Sequence, residues 1–76
     1  MKEILQTIIE NLVDEIEKVE ITTTEDDKSI VFEVKVSEND MGKVIGKQGK
    51  IAGAIRTIMK SVAGKEHKKV SVEFIG

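Results

Sequence analysis

The sequence predicts an α+β domain with the element order α-β-β-α-α-β, one three-stranded sheet carrying its helices on one face. Three observations lead there. Apolar residues recur at helical spacing over the first 18 positions. Two runs of period two follow over residues 19–36, joined by a polar turn. After a glycine-rich segment, a further helical run hands over to a last alternating stretch.

Ile4, Leu5, Ile8, Ile9, Leu12, Val13 and Ile16 form one stripe of a helix from near Lys2 to near Lys18. Glu3, Glu10, Asp14, Glu15 and Glu17 cover its other side. Val19, Ile21 and Thr23 then alternate with Glu20 and Thr22, and the β-branched run Thr22-Thr23-Thr24 favours a strand. Glu25-Asp26-Asp27-Lys28 is turn-forming, and a second strand follows. It places Ile30, Phe32, Val34 and Val36 on one face and Val31, Glu33 and Lys35 on the other, so the pair reads as a hairpin. Ser37-Glu38-Asn39-Asp40 matches a capping box, in which the Ser37 hydroxyl accepts from the Asp40 amide. The short helix it opens carries Met41, Val44 and Ile45 and stops at Gly46. A longer helix starts after Gly49 and runs to about Ala63, with Gly64 as its C-cap. The basic stretch Lys65 to Lys69 leads into a last strand with Val70, Val72 and Phe74 on one face.

With 76 residues there is room for one domain, taken as 1–76, and little apolar surface to spare in its core. No cysteine is present, which excludes a disulfide framework and thiolate metal sites. The longest apolar run is Ile30 to Phe32, far too short for a transmembrane helix, and no membrane role is expected. Charge from the second residue onward leaves no signal peptide, so a cytoplasmic location is expected. Residues 1–40 hold four Lys and twelve acids, a balance of -8. Residues 41–76 hold seven Lys, one Arg and two acids, a balance of +6. Either the two halves attract each other in the fold, or one face meets an anion.

The segment Gly42-Lys43-Val44-Ile45-Gly46-Lys47-Gln48-Gly49-Lys50 has the character of an anion site. Glycines let the chain turn sharply and let a ligand approach the backbone. The unpaired amides opening the following helix point outward, with the positive end of the helix dipole behind them. Lys43, Lys47 and Lys50 add mobile positive charge. A P-loop is excluded, because Gly42 and Gly46 are too close together and Lys47 is followed by Gln48 rather than Ser or Thr. No Gly-x-Gly pair is present for a dinucleotide fingerprint.

Gly46-Lys47-Gln48-Gly49 between two helices, after Val44-Ile45 and before Ala52, Ile55 and Arg56, resembles the KH domain. The element order is similar to the type II form of that fold. Over essentially its full length the chain resembles the KhpA family of single-domain bacterial KH proteins. The resemblance implies a Gly-x-x-Gly loop that clamps the backbone of about four single-stranded nucleotides. It implies RNA binding, self-association as a homodimer, and pairing with a larger KH protein of the Jag (KhpB) type. Carried over by position, Gly46, Lys47, Gln48 and Gly49 would be the clamp, and Val44 and Ile45 the apolar floor beside it. Lys43 and Lys50 flank the clamp. Ile51 either contacts a base or a second chain, or belongs to the peripheral core.

There is no Tyr or Trp, and both Phe fall in strands, so no exposed aromatic platform is expected for base stacking. Binding should therefore rest on the RNA backbone. Glu25, Asp26 and Asp27 lack the spacing of a calcium loop and read as a solvated turn. His67 is the single histidine and lies in a basic turn, where it reads as a surface group rather than a ligand or a general base; with no cysteine and no second histidine, no catalytic residue, metal or cofactor is expected. Gly53 inside a helix reflects either close approach of a ligand or partner helix, or simple tolerance. The function expected is single-stranded RNA binding, as a post-transcriptional regulator or RNA chaperone. The alternative is a protein–protein adaptor that dimerises or recruits a partner.

Overall fold

The computed structural model describes residues 1–46 and 49–75. Its elements are α1 (Lys2–Glu10), β1 (Glu20–Glu25), β2 (Ser29–Lys35), α2 (Met41–Ile45), α3 (Lys50–Gly64) and β3 (Lys69–Ile75). Short 3-10 turns at Ile16–Lys18 and Glu38–Asp40 precede β1 and α2. The order α-β-β-α-α-β is the one the sequence predicts.

β2 is the central strand. It pairs antiparallel with β1, from Glu20↔Lys35 to Glu25↔Ile30, and parallel with β3, from Ser29↔Lys69 to Lys35↔Ile75. A tight turn serves the first pairing, whereas a parallel neighbour needs a long crossover, supplied here by α2 and α3. Alternation along β2 puts Ile30, Phe32, Val34 and then Val36 on the buried face. Against them pack Leu5 and Ile9 of α1, Val44 of α2, Ile55 and Met59 of α3, and Val72 of β3. Burying each large apolar side chain stabilises the fold by about 1.5–3 kcal/mol. Asp26 closes the hairpin turn, its Oδ1 accepting from the amides of Lys28 and Ser29 at 2.8 and 2.7 Å. These bonds, the Lys28 amide first, hold its carboxyl below the ordinary range.

The first helix is shorter than the apolar stripe predicts. It ends at Glu10, where the Asn11 side chain donates to the Thr7 carbonyl at 2.7 Å. The amides of Asp14 and Glu15 leave the helical ladder and donate instead to Asp40 Oδ1 and Oδ2, at 3.1 and 2.9 Å. Val13 still reaches the core, but Ile16 is half-exposed. A carboxylate from another part of the chain thus competes successfully for amides that local periodicity assigns to the helix.

The capping box is present in altered form. Ser37 Oγ accepts from the Asp40 amide at 3.2 Å, while Asp40 Oδ2 accepts from Ser37 Oγ at 3.0 Å. The Asp40 carboxylate is therefore a clasp between the α1–β1 connection and the start of α2. It is 1% exposed. The end of α3 is also displaced from expectation: Gly64 stays helical, and the left-handed residue is His67, at φ 59°. Lys68 N donates back to Ala63 O at 3.1 Å there. Lys68 also pairs with Glu25, tying this loop to the hairpin.

Candidate nucleic-acid interface

α2 and α3 both abut the glycine turn. Gly46 caps α2, its amide donating to Gly42 O at 2.8 Å, and it adopts φ 71° and ψ -176°. That region is open essentially to glycine alone, and holding another residue there costs of order 1–3 kcal/mol. Space forbids a side chain as well: a Cβ on Gly46 would lie 2.6–2.8 Å from side-chain atoms of Ile51. Gly49 sits at φ 76° and ψ 12°, in the left-handed helical region, as the N-cap of α3. Lys47 and Gln48, expected as the tip of the clamp, lie outside the described residues.

Gly49 has no side chain with which to cap α3, and the first turn of α3 contains no acid. The positive end of that helix is therefore not neutralised from within its own turn. Lys50, its first residue, is exposed.

The remaining expected residues divide by burial. Val44 is completely buried and supports the turn from within the core, with no surface for a ligand. Ile45 is 37% exposed beside the turn. Ile51 is half-buried, packs on the core, and lies over Gly46, so it sets the shape of the turn. Lys43 is not a free cation. Its ammonium bonds to Asp14 and lies 3.8 Å from Asp40 Oδ1. The Asp14 hydrogen bond first, then both carboxylate charges, raise its pKa. The pair is half-exposed and screened by solvent, so Lys43 can exchange Asp14 for a phosphate, in competition with that carboxylate.

Arg56 is a residue that sequence reasoning left out of the site. Its Nε donates to Val72 O at 3.1 Å, and its guanidinium sits 5.5 Å from the Phe74 ring centroid. Phe74 is thus a seat for Arg56, and the planar guanidinium itself can stack on a base. The available signal was spacing: Gly49, Gly53, Arg56 and Lys60 recur at intervals of three and four along α3, and so share one face.

An α-β-β-α-α-β chain with a mixed three-stranded sheet, and with Gly46 and Gly49 between its two consecutive helices, is a type II KH domain. The chain belongs to the KhpA/KhpB KH-domain family, whose profile matches residues 2–74. It is 55% identical over 75 residues to the RNA-binding protein KhpA of Clostridium perfringens, covering 99% of this chain and 100% of that one. It is 48% identical to the protein of the same name from Listeria monocytogenes, covering 99% of each. The KhpA of Chlamydia trachomatis is 43% identical, over 99% of this chain and 96% of the relative. No solved structure gives a significant match.

Proposed function

We propose that this chain, as one KH module over residues 1–76, binds single-stranded RNA in the cytoplasm and acts as a post-transcriptional regulator or RNA chaperone. The RNA backbone lies across Gly46, Lys47, Gln48 and Gly49. Lys50 and Lys43 supply further charge, and Ile45 lies against the sugar or base edge. One observation carries this reading: positive-φ Gly46 ends α2, and positive-φ Gly49 stands directly before the α3 N-terminus, which has neither a side-chain cap nor an acid in its first turn. That arrangement exposes backbone donors to an anion. The names of the relatives support RNA as the source of that anion.

A salt titration tests the mechanism. Fluorescence anisotropy with a labelled oligouridylate should give a slope of log K on log salt of roughly -1.4 to -3. That is about -0.7 for each of about two to four phosphates. A flat response would remove the phosphate clamp.

A second role is favoured by exposed apolar residues on α2 and α3. Ile45 and Ile58 are 37% and 44% exposed, and, its own stretch of helix backbone aside, a Gly53 Cβ would meet none of the described residues within 4 Å. A second copy of the chain, or a larger Jag/KhpB-like KH protein, covers this surface. Two turns on one particle then engage one RNA with raised effective concentration. Sedimentation at micromolar concentration should show a species of two chains, lost in the Ile45→Glu, Ile58→Glu double variant. Monomer mass at every concentration would end the dimer reading.

A further inference from the structure

A buried carboxylate holds an exposed one against the lysine beside the glycine turn. Asp40 is 1% exposed. It accepts from the amides of Asp14 and Glu15 at 3.1 and 2.9 Å, and from the Ser37 hydroxyl at 3.0 Å. These bonds fix the backbone of the α1–β1 connection, from which the Asp14 side chain reaches the end of α2. There its carboxylate bonds to the ammonium of Lys43, in the last turn of that helix and three residues before Gly46. Asp40 Oδ1 lies 3.8 Å from the same ammonium. Lys50, on the other side of the turn, is exposed and enters none of the ion pairs among the described residues. The turn is thus flanked by one open cation and one that already holds an anion.

The two acids beside Lys43 differ in what it takes to remove them. Asp40 is buried and bonded to three donors, so it stays. The Asp14 side chain is 78% exposed, and the Lys43 ammonium is its one partner among the described residues. A surface pair of this kind is weak and breaks readily. Leaving Lys43 need not disturb the backbone behind Asp14, because the bond from the Asp14 amide to Asp40 does not involve the Asp14 carboxylate. The Asp14 carboxylate therefore occupies, from within the chain, the place beside Lys43 that a phosphate oxygen would take.

We propose that Asp14 is a built-in competitor for phosphate at Lys43, which sets how tightly the turn holds RNA and keeps small anions off that lysine. This rests on the reading of the turn as an RNA clamp. A small anion that meets Lys43 alone must displace Asp14 and loses the full strength of the pair. A strand also held at Gly46–Gly49 and Lys50 loses at most that factor, since its other contacts stand whether or not Lys43 joins them.

The test measures the affinity of an oligouridylate by fluorescence anisotropy for wild type, Asp14→Asn, Glu17→Gln, Lys43→Met and the Asp14→Asn, Lys43→Met double variant. Asp14→Asn keeps the amide that Asp40 accepts and alters an exposed side chain, so its melting curve should match wild type. Glu17→Gln makes the same change in net charge at an exposed position that enters no ion pair among the described residues. Asp14→Asn should tighten binding about two- to fivefold, beyond any gain in Glu17→Gln. In the Lys43→Met background that excess should be lost, because no ammonium remains to compete for. Lysine ammonium NMR supplies a readout without RNA. Inorganic phosphate should shift the Lys43 signal at about two- to fivefold lower concentration in Asp14→Asn than in wild type, and the Lys50 signal at the same concentration in both. An Asp14→Asn gain no larger than that of Glu17→Gln, or equal with and without Lys43, reduces Asp14 to general repulsion and overturns the proposal alone. Lys43→Met that binds as tightly as wild type also overturns it alone, since Lys43 then meets no phosphate. Wild type that binds no oligouridylate overturns the reading of the turn, and the proposal with it.

Discussion

Replacing Lys47 and Gln48 together by Asp should leave the domain folded and weaken RNA binding by at least about a hundredfold. A charge-assisted contact is worth about 1.5–3 kcal/mol, and each 1.4 kcal/mol is about tenfold in affinity. Losing Lys47 therefore accounts for one factor of ten or more, and two carboxylates facing phosphates add repulsion. They also stand before the uncapped start of α3, where they attract its amides and cancel the positive end of the dipole. The substitution removes no apolar side chain, since Lys47 and Gln48 are both polar, so the melting curve should change little. Gln6→Asp with Lys18→Asp makes the same change in net charge at exposed positions away from the turn, and should bind as wild type does. A folded Lys47→Asp, Gln48→Asp chain with wild-type affinity would show that RNA, if bound, is bound elsewhere.

Asp40→Ala should be the most destabilising polar substitution in the chain, lowering Tm by about 10–20 °C. The buried carboxylate accepts from two backbone amides and the Ser37 hydroxyl. Removing it strands the Asp14 and Glu15 amides, frees the α1–β1 connection, and takes away one of the two acids beside Lys43. Asp40→Asn keeps the shape and one carbonyl acceptor, so its effect should be smaller. A pH series gives an independent check. The Glu15 amide first, then Asp14, Ser37 and Lys43, hold the Asp40 carboxyl below its ordinary value, against burial, which pushes it up. A lowered folded-state pKa means that the folded protein binds this proton less readily than the unfolded chain. The stabilisation is thus fully present above the unfolded pKa of about 3.9 and fades as pH falls through the folded value. Wild type should lose Tm steeply below about pH 4, and Asp40→Ala less steeply. Equal acid sensitivity in the two proteins would show that other carboxylates govern acid unfolding.

Legibility followed sequence distance. The hairpin could be read because period two and the Glu25–Lys28 turn are properties of neighbouring residues. The ends of α2 and α3 at the glycine turn could be read for the same reason: Gly46 and Gly49 punctuate the chain wherever it folds. The glycine turn is local too, although the reason Gly46 must be glycine is only partly local. Its φ and ψ belong to the turn, but the contact with Ile51 arises when α3 folds back beside α2. The end of α1 is not legible in the sequence, because the stripe continues through Leu12, Val13 and Ile16 and nothing nearby announces a stop. Arg56 is not legible as a site residue because its seat, Val72 and Phe74, lies on a strand 16 and 18 residues away.

The element order, the buried face of β2, the positions of Gly46 and Gly49 and the concentration of positive charge after residue 40 all follow from local sequence. Each is settled by side-chain periodicity, by backbone freedom or by composition, which act between neighbours. Which charges remain available depends instead on how the elements pack. Topology brings the α1–β1 connection against the start of α2, so that Asp40 captures amides 25 and 26 residues away and Asp14 reaches Lys43 over 29. The same parallel crossover lays α3 along the free edge of β3. Lys43 is thereby paired with acids, while Arg56, Lys60 and Lys69 line an open furrow. Electrostatic interaction depends on distance in space, and no pattern along the chain encodes that distance before the chain has folded.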